Sequence, residues 1–174
     1  TELNFLKNQI NPHFLFNTLN NLYGLALKKS DSAPDAILQL SSILRYLLYE
    51  SNEERISFEK EKEIMEAYIR LELLRLQDTE NLHFSILADN AYDIPPLLWL
   101  PVLENIFKHG TRMINGGIFV DYRFTIDRDL LSIYAKNRYR PAVSGDGQKG
   151  KNSGIGLSNL HKRLQLLYPH KHAI

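Results

Sequence analysis

Asn11-Pro12-His13-Phe14-Leu15-Phe16-Asn17 is the stretch on which the reading of this chain turns. One imidazole sits beside a proline inside a run with helical spacing. Leu3, Leu6, Ile10, Phe14 and Asn17 stand three or four residues apart, with Phe5, Phe16, Leu19 and Tyr23 beside them. The pattern predicts one long helix over residues 2–28, kinked where Pro12 removes a backbone donor. His13 falls one residue before an apolar position, at the edge of the stripe, where a ring is anchored by packing and still reachable. Asn17 lies one turn further along the same face, so both side chains can contact one small group. A lone helical histidine is more often an ordinary surface or core residue. What singles out His13 lies elsewhere in the chain.

Outward from this helix, Lys28-Lys29-Ser30-Asp31-Ser32 reads as a polar turn. A second helix is expected over 34–51, with Pro34 in its first turn. Its stripe is Ile37, Leu40, Leu44, Leu47 and Leu48, widened by Ile43 and Tyr46. Two helices on a short loop make an antiparallel hairpin. A hairpin this apolar needs a cover, and pairing two copies into a four-helix bundle supplies one. The alternative cover is the chain's own second half. The pattern changes after Asn52-Glu53-Glu54-Arg55, which divides the chain into residues 1–54 and 55–174.

In the second part Ser57 is an N-cap for a helix running to about Gln77, with Ile64, Tyr68 and Leu71 on one face. Its charges, Glu61 and Glu72 among them, read mostly as a solvated face with i,i+4 pairs and are assigned no chemistry. Leu82, Phe84 and Ile86 alternate with polar neighbours and predict a strand that turns His83 outward. Asp93-Ile94-Pro95-Pro96 is a turn, followed by a helix over 97–108 with Pro101 in its first turn or at a kink, and Gly110 stops it. Residues 118–126 and 131–135 alternate as two strands around the turn Asp127-Arg128-Asp129. Residues 137–153 are rich in glycine and basic groups and read as a mobile loop. A last helix carries Leu157, Leu160, Leu164 and Leu167 on one face. The fold class is α+β, with helices on one side of a mostly antiparallel sheet.

Composition narrows the function. The chain has 174 residues, 44% of them hydrophobic, which is ample for a core. A formal charge of +1 gives no general surface for nucleic acid or membrane. The absence of cysteine removes disulfides, thiol catalysis and cysteine metal sites, and fits a reducing compartment. No apolar run approaches the roughly 18 to 20 residues that span a bilayer, and no signal peptide is visible. Thr1 enters a helical pattern directly and the last helix runs straight to the end, so the chain reads as a piece of a longer protein.

Three pieces converge on phosphate chemistry. Glu104 with Lys108, and Asn105 with His109, form two neighbouring rows on one helix. A carboxylate, a carboxamide, an amine and an imidazole together can position water, ligate a hard cation through oxygen and meet phosphate charge. Gly154-Ile155-Gly156-Leu157 opens a helix after a basic loop, where free amides and the dipole suit an anion and Lys149 and Lys151 can close over it. His13 is the third piece, since a neutral imidazole nitrogen is a competent nucleophile toward a phosphoryl group.

These residues resemble a known family. Gln9-Ile10-Asn11-Pro12-His13-Phe14-Leu15-Phe16-Asn17-Thr18-Leu19-Asn20, Leu40-Ser41-Ser42-Ile43-Leu44-Arg45-Tyr46, Leu103-Glu104-Asn105-Ile106-Phe107-Lys108-His109-Gly110 and Gly154-Ile155-Gly156-Leu157-Ser158-Asn159 are similar to the cytoplasmic part of LytS-like sensor histidine kinases. The resemblance implies a dimerisation hairpin with His13 as phosphoacceptor, followed by an ATP-binding α/β sandwich of the GHKL type. It implies Glu104 as base, Asn105 as magnesium ligand, Lys108 and His109 near phosphate, and Gly154, Ile155, Gly156 and Leu157 at the hinge of a nucleotide lid. Asn137 stands where the family has an adenine-reading aspartate, and its carboxamide oxygen still accepts a hydrogen bond without the charge. No acid follows His13, which leaves Asn17 to hold the ring or a hydrolytic water. ATP and Mg²⁺ are the implied cofactors. The implied partners are a second copy and a response-regulator receiver domain, with the membrane reached only through other segments of an inner-membrane bacterial protein. The alternative is a degenerate, non-catalytic dimeric signalling module that no longer uses ATP. A third class is an ATPase switch with no histidine target.

Overall fold

The computed structural model describes residues 12–76, 78–111, 117–138 and 155–174, with Pro12, His13 and Ile155 described at the backbone only. Helix α1 (Pro12–Leu27) buries Phe14, Thr18 and Leu22, one every fourth residue. The apolar positions before Pro12 and the expected kink lie outside the described residues. Lys29 takes a left-handed φ of 52° to close α1, and the Ser30 amide donates back to Leu25. Helix α2 (Ala33–Arg45) has its proline in the first turn, as the sequence predicts, and runs on into a π-helical turn, Tyr46–Glu50.

The deepest row of this second helix is Ala36, Leu40, Ile43 and Tyr46, while Ile37 and Leu48 of the expected stripe are exposed. The reason is the partner. The buried row packs on helix α3 (Phe58–Leu73), which Ser57 caps by accepting the Lys60 amide at 3.4 Å. One face of the hairpin is therefore covered by the chain's own second half. Phe14 stacks on Tyr68 with ring centroids 4.6 Å apart, so one core runs across the boundary at residue 54. An outer apolar face remains open, with Phe16, Tyr23, Ile37, Leu38, Leu48 and Tyr49 all at least half exposed.

Strands β1 (Ile56–Ser57) and β3 (Asp93–Ile94) form a short antiparallel pair. The main sheet has the order β2 (Leu82–Ala88), β4 (Val120–Asp127), β5 (Leu130–Asn137). It is mixed, which corrects the mostly antiparallel expectation: β2 runs parallel to β4, and only β4 and β5 are antiparallel. A parallel pair needs a long crossover, and here it contains a helix. The β4–β5 hairpin has a two-residue loop, Arg128-Asp129, with φ of 48° and 65°, the primed geometry that matches strand twist. Val120, Tyr122, Phe124 and Ile126 face the helices, and His83 is outward as predicted.

Helix α4 (Leu100–Asn105) lies in that crossover, with Pro101 in its first turn, and continues as a π-helical turn, Ile106–Gly110. Helix α5 (Ile155–Leu167) buries Leu160 and Arg163 and leaves Leu157 of the expected leucine face exposed.

The charges of α3 are not all solvated either. Glu61 is 0% exposed, and Glu72 is also buried. The Tyr46 hydroxyl donates to one Glu61 oxygen, and the Trp99 indole and the Leu97 amide donate to the other. Desolvation pushes this carboxyl from 4.5 up to about 7, against the pull of its donors and of Arg163. The folded state thus holds the proton more tightly than the unfolded chain. The stability from this group is complete below pH 4.5 and is lost as pH rises toward 7. Urea denaturation is expected to show wild type losing up to roughly 3 kcal/mol relative to Glu61→Gln across that window. Parallel pH profiles for the two proteins contradict it.

Candidate functional site

A groove of about 500 Å³ opens between α1, the end of α3 and the α4 turn. Asn17 and Phe14 reach it from α1, Glu72 and Arg75 from the end of α3, and Glu104 and Lys108 from α4 and its π turn. Three residues singled out in the sequence, Asn17, Glu104 and Lys108, thus meet across helices distant in the chain. His13 follows Pro12 in the first turn of α1, one position before Phe14, and only its backbone is described.

Packing fixes these walls. Tyr68 touches Phe14, Trp99 and Phe107 at centroid separations of 4.6, 5.7 and 6.1 Å. Burial holds its hydroxyl pKa well above the ordinary value, with the Glu72 and Glu104 carboxylates adding to the shift. Tyr68 therefore stays a neutral phenol, and Glu104 lies close enough for its charge to be felt. Arg75 donates from Nε to Glu72 at 2.6 Å, its Nη2 lies 2.6 Å from the same carboxylate oxygen as an ion pair, and Nη2 donates to the Phe107 carbonyl at 3.0 Å. Thr111 donates to the same carbonyl at 2.7 Å, so one of the last acceptors of the α4 turn is satisfied twice. Lys108 is exposed and forms no ion pair among the described residues.

Asn105 and His109, the second row, are half-buried and lie outside the groove. The π turn carries Lys108 and His109, and wide turns of this kind recur at functional sites. Gly110 ends the turn against Asn137 at the end of β5: a Cβ built on Gly110 would lie 2.7 Å from Asn137 Cβ. The Asn137 amide donates to the Arg138 carbonyl at 3.0 Å, and its own oxygen accepts no hydrogen bond among the described residues. Gly156 sits in the first turn of α5 against Pro101, which starts α4. Ile155 begins α5, Leu157 is exposed, and Gly154, Lys149, Lys151 and the rest of the basic loop lie outside the described residues. The second glycine therefore does sit beside the helix that bears Glu104 and Asn105.

Sequence reasoning missed Arg75, Glu72 and Glu61. The spacing of Glu72 and Arg75 marks an i,i+3 pair, but nothing local shows that the pair faces a groove.

Residues 1–80 match the family model described as Histidine kinase. Over 96% of its length the chain is 30% identical to the sensor protein LytS of Streptococcus mutans and 33% identical to the sensor histidine kinase YpdA of Escherichia coli, covering 30% of each. It is also 28% identical to the Bacillus subtilis protein YwpD over 94% of its length, covering 61% of that protein. The family-model, LytS and YpdA matches are to sensor histidine kinases. The chain is similar over nearly its whole length to the LytS-like proteins among them. It spans about 30% of the length of the LytS and YpdA relatives. No helix among the described residues is long and apolar enough to cross a membrane.

The Gly110–Asn137 contact gives a test of sign. Alanine is ordinarily the better helix residue by up to about 1 kcal/mol. Here Gly110→Ala is expected to destabilise by about 1–3 kcal/mol, because Asn137 Cβ must move with its strand. Urea denaturation measures it, and a stabilised variant would show that the contact is loose.

Proposed function

We propose that this chain is the kinase core of a two-component sensor, transferring the γ-phosphoryl group of ATP to His13 and from there to an aspartate of a response-regulator receiver domain. The observation that carries this reading is the meeting of Asn17, Glu104 and Lys108 around one groove beside the helix whose first turn holds His13. A neutral His13 nitrogen attacks the γ-phosphorus, the bond to the bridging oxygen breaks, and ADP leaves. Glu104 takes the proton released from the ring, Asn17 orients the ring, and Lys108 meets the charge of the phosphoryl oxygens. Phosphoryl transfer asks for position and charge neutralisation more than covalent help, which suits an open groove.

No group of three or more histidine, cysteine or acidic side chains arranged to hold a metal ion exists among the described residues. That suits Mg²⁺, which usually keeps its waters and takes one or two protein oxygens plus phosphate. The Asn105 carboxamide oxygen would be such a ligand. Bound Mg²⁺ would supply charge neutralisation on the nucleotide phosphates. In this reading His109 of the π turn and Asn137 at the end of β5 serve the nucleotide, and residues 55–174 form a GHKL-type domain whose lid is hinged at Gly154 and Gly156. The open hairpin face fits a second copy in a four-helix bundle, and the whole fits the cytoplasmic portion of a membrane-anchored protein.

Incubation with γ-labelled ATP tests the chemistry. Label is expected on wild type and absent from His13→Gln. Glu104→Gln is expected to slow labelling by about 10²–10⁴ while nucleotide affinity stays within a few-fold. Label that survives His13→Gln would overturn the reading. For the assembly, Leu48→Glu is expected to turn a dimer into a monomer in sedimentation, and a monomeric wild type refutes it.

A further inference from the structure

Glu61 has no part in the chemistry above, yet it is the most enclosed acid among the described residues. Its donors come from separate parts of the chain. Tyr46, itself 0% exposed, lies at the end of the second hairpin helix; Leu97 and Trp99 lie on the approach to α4. Leu97 is a buried, non-glycine residue held at φ of 61°. Such a conformation persists only where the surroundings enforce it.

The enforcement is visible. The Leu97 amide donates to Glu61, while the Pro96 carbonyl, the other end of the same peptide unit, accepts from buried Arg163 of α5. One strained peptide is thus gripped at both poles by side chains of opposite charge from two helices. Three residues further on, α4 begins, and it carries Glu104 and Asn105.

We propose that Glu61 is a positioning residue, the joint through which the second hairpin helix sets the placement of the helix bearing Glu104 and Asn105. Its functional arm rests on the kinase reading. Shifting Tyr46 moves the carboxylate, the carboxylate holds the Pro96–Leu97 peptide and the Trp99 indole, and these fix the first turn of α4. The charged and titratable groups facing Glu61 are Tyr46 from the hairpin, Arg163 from α5 and Tyr122 from β4. Protonation of Glu61 would weaken its pull on the donors and loosen the joint, so the coupling also responds to pH.

Trp99 is the only tryptophan in the chain and reports on this carboxylate directly. Its emission is expected to follow one transition centred near pH 7 in wild type and none in Glu61→Gln. Tyr46→Phe removes a donor to the ionised form, so the midpoint is expected to rise by about half a unit or more. In the same variant, labelling at saturating ATP is expected to slow roughly ten-fold with the KM for ATP held within about two-fold, since only alignment is disturbed. A residue that merely stabilised the fold would lower the melting temperature without that split. An unmoved midpoint in Tyr46→Phe, a transition that survives Glu61→Gln, or equal rates in all three proteins overturns the proposal. A wild type that takes no label removes the kinase reading instead, and the midpoint comparison still decides whether hairpin and carboxylate are joined.

Discussion

The ring of Tyr68 is the point on which this structure rests. It lies between the first hairpin helix, the approach to α4 and the π turn, touching Phe14, Trp99 and Phe107 at once. Aromatic pairs add only about 0.5–1.5 kcal/mol each beyond the area they bury. Burial therefore supplies most of the stabilisation, and the ring geometry fixes where the three elements stand. The groove exists because Tyr68 spaces α1 from α4, with polar side chains filling the rim.

Glu61 is the polar counterpart of that ring, one helix face away. Burying a carboxyl is costly unless its oxygens are satisfied. Here an indole, a phenol and a backbone amide meet it, and Arg163 is near. Such a network adds little net stability over an apolar filling, but it tolerates few alternative arrangements. Together the two centres explain how a short α4 with a proline in its first turn is held firmly enough to present Glu104 and Asn105 on chosen sides. The groove itself is close to charge-balanced: Glu72 is paired with Arg75, and Glu104 faces the same space as Lys108.

Much of the site was legible locally. The i,i+4 spacing of Glu104 and Lys108 put both on one face, and both line the groove. Ser57 reads as a cap and is one. The paired left-handed residues Arg128 and Asp129 close the hairpin where a turn was expected. The relation of β2 to β4 was not legible, because alternation reports which face is buried and says nothing of strand direction. Glu61 was misread for a similar reason: its neighbours in sequence are charged, and only Tyr46, Leu97 and Trp99, distant in the chain, enclose it.

The amino-acid order by itself determined the helices, the strands, the hairpin turn and the residue types able to handle a phosphoryl group. These depend on spacing, capping and side-chain chemistry within a few residues. The tertiary structure alone decided that one face of the hairpin lies on the chain's own second half, that Arg163 is buried, and that Asn17, Glu72, Arg75 and Lys108 share one groove. Such choices depend on which apolar surfaces meet across long stretches of chain, and hydrophobic burial is non-directional, so local pattern cannot select among the partners it permits.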